Sequence, residues 1–395
     1  MEYICRVWGK QIKIIGWFLE MEKKKKSPRR LKFNTVQTVV IGFFGVILGG
    51  GILLSLPICN QKPIEFIDAL FTSVSSVCVT GLVTIVPAEQ FTLLGKIILL
   101  LLIQVGGLGV IACMSAFFLL LGKKINMKGR ITIQQAYGLD TLSGLVKFVI
   151  RILKGTFLVE GIGAVLFSLR FIPEFGFIKG VGYAIFHSVS AFCNAGIDIL
   201  GSTSFIQYSG SWLINFTTMF LIVMGGLGFP VWHDIAINIK KMTEIKKRPL
   251  KWLFTRLCLQ SKIVLTMTGL LILCGAVGFF LLEFNNPETM GDMNLLEKMT
   301  ASLFQSVTTR TAGFATVPQG DLRESSKLLG CMLMFIGGSP AGTAGGVKTT
   351  TIAMLLLTVL CVLKNKRDTE CFARNPELIS LILLMKRRPQ WERSD

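Results

Sequence analysis

The segment Phe71–Leu82, FTSVSSVCVTGL, is written three times in this chain, and the repetition limits the architecture more than any other feature. It returns as FHSVSAFCNAGI at Phe186–Ile197 and as FQSVTTRTAGFA at Phe304–Ala315, each copy opening F-x-S-V. Gly81, Gly196 and Gly313 close the copies at near-equal intervals, the third copy being one residue shorter between its Phe and its Gly. Around each copy stands the same frame: a long apolar run, a half-length run ending at the glycine, and another long run.

A half-length apolar helix is too short to span a bilayer, and extended backbone at membrane depth is tolerated only inside protein or along a watery cavity. A short helix with its C-terminal end turned inward offers partial negative charge to a cation. The extended residues after it can replace an ion's water shell with carbonyl oxygens, and glycine takes the backbone angles that aim successive carbonyls one way. The pattern therefore predicts an all-α membrane protein of repeated helix–re-entrant pore helix–helix units around a central pore. Backbone oxygens of Val79, Thr80 and Gly81, of Asn194, Ala195 and Gly196, and of Thr311, Ala312 and Gly313 become the candidate ion ligands.

Composition agrees with a bilayer setting. The 395 residues are 51% hydrophobic and 16% charged, with a mean hydropathy of +0.61, whereas soluble domains carry about a quarter charged residues. A net charge of +19 on a soluble domain would suggest nucleic acid. Here the basic residues cluster between apolar runs, which points to orientation in a membrane and excludes a nucleic-acid partner. Ten cysteines without CxxC spacing read as reduced and packed, and His187 and His233 have no neighbours of ligand type, so no metal site is expected.

Taken in order, residues 1–33 form a basic N-terminus without a signal-peptide core, starting at Met1 or Met21. Repeat one covers 34–122, repeat two 144–239 and repeat three 263–363, with a basic linker at 240–262 and a tail at 364–395. Basic clusters at the N-terminus and after each second long run place those segments, N-terminus included, in the cytosol of a multi-pass cell-membrane protein. The half-helices then dip from the outer face, and Asp198 sits at the pore mouth, attracting cations or simply solvated.

The double glycines Gly106-Gly107 and Gly225-Gly226 read as close helix packing through small residues. GGSPAGTAGGVKTTT at Gly337–Thr351 differs, because Pro340 among so many glycines breaks a helix in mid-membrane. Gly337, Gly338, Ser339, Pro340, Gly342, Thr343, Gly345, Gly346 and Lys348 form a candidate gate, with an inert kink as the alternative. A phosphate-binding loop fails because Val347 precedes Lys348 where a glycine is needed. Arg310, inside the third copy, is expected to turn away from the pore and brace its loop. Glu160, within a spanning run, reads as a structural hydrogen-bonding group.

The motifs CVTGL, CNAGID, TTRTAGF and GGSPAGTAGGVKTTT resemble those of the Trk/Ktr/HKT superfamily of potassium transporters, most closely the Ktr-type membrane subunit, over residues 34–367. The resemblance implies four repeats around one pore, no catalysed reaction, potassium as the transported ion with possible sodium dependence, and no bound cofactor. It maps the filter to Gly81, Gly196 and Gly313 and the gating loop to 337–346. It also implies a homodimer on a cytosolic ring of nucleotide-binding regulatory subunits. The repeat interval puts a fourth glycine beyond Asp395, so three of four expected repeats are present, and the chain reads as a truncated or frame-shifted product. The alternative function is a non-conducting membrane scaffold of the same family.

Overall fold

The computed structural model describes residues 35–109, 144–244 and 250–364, with isolated positions between 112 and 137. The basic N-terminus through residue 34, the choice between Met1 and Met21, and the tail after Lys364 lie outside the described residues. The chain divides into two compact units, Met1–Ile41 and Gly42–Asp395. Of the first only Thr35–Ile41, the opening of a helix, is described; the second holds the three repeats.

Among the described residues every regular element is helical. Repeat one contributes α1 (Thr35–Ser55), α2 (Phe66–Cys78) and α3 (Leu93–Leu108). Repeat two contributes α4 (Leu145–Phe175), α5 (Phe177–Phe192), α6 (Trp212–Gly226) and α7 (Phe229–Glu244). A short α8 (Leu250–Arg256) leads to repeat three: α9 (Leu259–Glu283), α10 (Leu295–Thr308), α11 (Glu324–Phe335) and α12 (Thr349–Leu363). In each repeat the short second helix packs against the long first one, and α3 and α6 close over α2 and α5.

Among the described residues two helices, α4 and α9, are long and apolar enough to cross a bilayer alone, and α6 with α7 forms a pair bent by 97°. The run Trp212–Ile239, read from hydropathy as one span, is therefore broken. Gly228, at φ +88°, makes the turn, and a Cβ there would press on the Pro340 carbonyl at 2.5 Å. Repeat one breaks likewise at Gly109, φ +82°, so the run read as Phe91–Leu121 is interrupted after Leu108, with Ala112, Cys113 and Ser115 helical again. In repeat three the break is widest, from Ile336 to Lys348. The double glycines thus mark broken helices in all three repeats.

One contact set holds the repeats together and recurs with the same spacing. Ser73, Ser188 and Ser306, the serines of F-x-S-V, donate to the carbonyls of Ile47, Glu160 and Ile272 at 2.8, 2.6 and 2.8 Å. Three residues after each acceptor stands a glycine, Gly50, Gly163 or Gly275, whose missing side chain makes room for that serine hydroxyl and for a leucine. The leucines, Leu102, Leu221 and Leu333, each stand four residues before a double glycine. Short helix, first helix and second helix therefore meet at one small-residue point in every repeat, a close approach typical of membrane helices. On its far face α4 exposes Leu158, Ile162, Val165 and Leu169 at helical spacing, the surface expected toward lipid.

Candidate ion pathway

The three half-helices end in the same backbone device. Val79, Asn194 and Thr311 adopt left-handed φ of +57°, +58° and +69°, and two residues later Gly81, Gly196 and Gly313 do so at +76°, +63° and +89°. Left-handed backbone is uncommon for non-glycine residues and unfavourable for β-branched Val and Thr. Its recurrence at matched positions means that the surroundings impose it. The hydrogen bonds around it are specific. Thr80, Ala195 and Ala312 donate backbone N–H groups to Ser75, Ser190 and Thr308 at 2.9, 2.8 and 2.9 Å. The hydroxyls of Ser190 and Thr308 reach past the glycines to the carbonyls of Ile197 and Phe314, both at 2.6 Å.

These loops share a centre. A Cβ on Gly81 would lie 2.7 Å from the Ala195 carbonyl oxygen and 3.6 Å from Gly196 Cα. One on Gly196 would strike the Ala312 carbonyl, and one on Gly313 would stand 3.2 Å from Gly196 Cα and 3.9 Å from Gly81 Cα. Gly81, Ala195, Gly196, Ala312 and Gly313 are thus brought together, with backbone rather than side chains at the point of approach. Phe205 N–H donates to the Ala315 carbonyl at 3.0 Å, and the Phe205 and Phe314 rings stack at 4.9 Å, tying repeats two and three.

The segment 337–346 lies against the C-terminal ends of α5 and α10. Thr343 Oγ1 accepts from Asn194 Nδ2 at 2.6 Å and donates to the Phe192 carbonyl at 3.0 Å, while Gly345 N–H reaches Thr311 Oγ1 at 3.0 Å. Ser339 and Thr343 N–H groups donate to the carbonyls of Gly226 and Gly225, and Phe229 N–H donates to Ala341. The break in repeat two and the loop of repeat three therefore form one hydrogen-bonded assembly. Lys348 Nζ folds back onto the Ala344 carbonyl at 2.8 Å, and Ser339 and Thr349 hydroxyls pair at 3.1 Å. A Cβ on Gly337 would collide with Gly345, and one on Gly338 with Ala344.

Arg310 is buried, and its Nη2 meets the Gly337 carbonyl at 3.4 Å, so the guanidinium is directed to the loop. Asp198 Oδ1 accepts from the Leu200 and Gly201 amides at 3.3 and 3.5 Å, which ties down the chain just past the glycine. Glu160 is buried and takes the Gln104 amide at 3.0 Å, across from repeat one. His187 is enclosed by aromatic rings, with Nδ1 on the Tyr183 carbonyl at 2.7 Å. His233 pairs with Arg151 at 2.8 Å.

Sequence reasoning missed the docking glycines Gly50, Gly163 and Gly275 and the hydroxyl braces Ser190 and Thr308. Ser190 and Thr308 each stand four residues after the phenylalanine that opens their copy, and that register is the signal that could have found the braces; the glycines stand at unequal distances from the F-x-S-V serines and carry no such signal.

The chain is 40% identical over 355 residues to the potassium/sodium uptake protein NtpJ of Enterococcus hirae, covering 89% of this chain and 74% of that protein. It is 36% identical over 353 residues to the Ktr system potassium uptake protein B of Bacillus subtilis, covering 89% and 76%. In fold it is similar to the crystal structure of the potassium transporter TrkH from Vibrio parahaemolyticus, with a TM-score of 0.64 at 20% identity, covering 86% of this chain but only 64% of that one. Residues 9–374 match the profile of the TrkH family, described as cation transport proteins. With that match over most of its length, the chain belongs to the TrkH family of cation transporters of the cell membrane and is a transporter, not an enzyme.

Proposed function

We propose that the chain carries potassium ions into the cell through a pore whose narrowest part is the carbonyl-lined centre at Val79–Gly81, Asn194–Gly196 and Thr311–Gly313. The observation that carries this reading is the threefold recurrence of paired left-handed residues converging on Gly81, Gly196 and Gly313. Backbone bent this way turns successive carbonyls toward one axis, where they can stand in for the hydration of a monovalent cation. Half-helix ends pointing at the same place add their partial negative charge. Glycine in all three matched positions favours potassium, and two relatives are named potassium uptake proteins, one of them also for sodium.

The segment 337–346 is the gate in this proposal. Its ties to Asn194, Phe192 and Thr311 set it directly under the filter, and Arg310 braces it from the side. Asp198 stiffens the outer mouth, and the N-terminus is cytosolic. In keeping with the Ktr-system name of its relative, the chain works as a homodimer on a cytosolic nucleotide-binding regulatory ring.

Complementation of a cell lacking potassium uptake tests the proposal, with Gly196→Ser as the inactive control. Growth at low potassium with the native chain and none with Gly196→Ser is the expected result. Equal growth with both overturns it. Potassium flux in purified liposomes separates a conducting chain from a non-conducting scaffold, and sodium added to the same vesicles measures the sodium dependence.

A further inference from the structure

The geometry points to a second site, for the phosphate-bearing headgroup of an anionic membrane lipid, in a cavity of about 600 Å³ between the start of α4 and α7. It is lined by Arg151 and Ile152 of α4 and by Trp232, His233, Ile237 and Lys240 of α7, with phenylalanines behind them. The volume falls within the range of small-molecule sites.

Three observations choose the ligand. The first is charge: among the described residues the lining carries Arg151, His233 and Lys240 and no carboxylate. The nearest acid on α7, Asp234, is engaged elsewhere, by Asn238 Nδ2 at 2.9 Å and by the Cys258 amide at 2.8 Å. Arg151 donates one Nη1–H to His233 Nε2 at 2.8 Å, which fixes the guanidinium at the cavity wall with its other N–H groups available to an anion.

The second is the apolar share of the wall. Phe148, Ile152 and Phe229 are buried there, and the Trp232 indole is pinned by its Nε1–H on the Met224 carbonyl at 3.0 Å. A free phosphate has no use for such a wall, whereas a glycerolipid brings acyl chains to cover it.

The third is placement. The 97° bend between α6 and α7 turns α7 sharply out of the direction of α6, and in this proposal α7 then lies along the membrane surface. An interfacial helix that turns Trp and Lys toward one cavity is where headgroups lie, and basic pockets between membrane helices hold anionic ones.

The full chain, reconstituted in nanodiscs of phosphatidylcholine, is titrated with acyl-brominated phosphatidylglycerol or acyl-brominated phosphatidylcholine. Quenching of Trp232 is read as the difference from Trp232→Phe. Phosphatidylglycerol is expected to quench at lower mole fraction than phosphatidylcholine. Arg151→Gln/Lys240→Gln is expected to weaken that preference at least about fivefold, while Arg151→Lys retains it in a monodisperse protein. Equal quenching by both lipids in the native chain, no quenching by either, or a preference unchanged in the double variant overturns the site. Relief of quenching by millimolar inorganic phosphate also overturns it, in favour of a soluble anion. The readout does not depend on ion flux, so it stands apart from the transport proposal.

Discussion

Asn194 Nδ2 lies 2.6 Å from Thr343 Oγ1, joining the backbone device of repeat two to the broken helix of repeat three. The same hydroxyl donates to the Phe192 carbonyl, so a single side chain both receives from the filter and holds the end of its half-helix. Thr343→Val keeps the shape and removes both bonds. A hydrogen bond is worth about 1 kcal/mol net, so with one to two bonds' worth of restraint lost, potassium flux in liposomes is expected to rise at least about fivefold as the loop is released. Thr343→Ser should behave as the native chain. Unchanged flux in the valine variant would mean that the contact does not restrain the loop.

Gly196 tolerates no side chain on two grounds: φ is +63°, and a Cβ would strike the Ala312 carbonyl. Left-handed backbone costs an L-residue about 1–2 kcal/mol before any collision is counted. Gly196→Ala is expected to cut potassium uptake at least about tenfold while the protein still inserts and purifies. Uptake at the native rate in a correctly folded Gly196→Ala protein would remove the filter from this position.

The docking point offers a test of packing alone. Gly163→Ala pushes a methyl against Ser188 Oγ and Leu221, and such overpacking costs about 1–3 kcal/mol. Ser188→Ala, which loses the bond to the Glu160 carbonyl, costs about 1 kcal/mol. In the double variant the second change makes room for the first, so the two losses of thermal stability in detergent should sum to more than the loss measured together. Strict additivity in the unfolding midpoints would count against the contact.

Arg310 stands in the third filter copy, yet its Nη2 is turned to the Gly337 carbonyl. Arg310→Gln is expected to leave potassium selectivity over sodium unchanged, since the charge does not face the ion. Arg310→Leu, which leaves that carbonyl without a donor, should raise resting flux by loosening the loop. A change of selectivity in Arg310→Gln, measured by competing sodium against potassium, would put the side chain back in the pore.

Much of this was readable from residues alone, because glycine at a repeated interval after a half-length apolar run has few structural uses. The position of the broken loop was equally readable from Pro340 among its glycines. The breaks in repeats one and two were not, since a Gly-Gly pair has the same spelling whether it packs or bends. Here Gly106 and Gly225 do pack, against the carbonyls of Val77 and Phe192, while Gly109 and Gly228 make the turns. The left-handed Val79, Asn194 and Thr311 were illegible for another reason. Local preference argues against that backbone for Val and Thr, and only the closure of the whole loop overrides it.

The hydrogen bond from Phe229 N–H to the Ala341 carbonyl has one more meaning. Phe229 is the first residue of α7, set at 97° to α6, and Ala341 lies in the middle of the segment 337–346 proposed as the gate. Under the two proposals together, a tilt of α7 is transmitted to the proposed gate through a link one peptide long, so a lipid held at the proposed headgroup site has a hand on the valve.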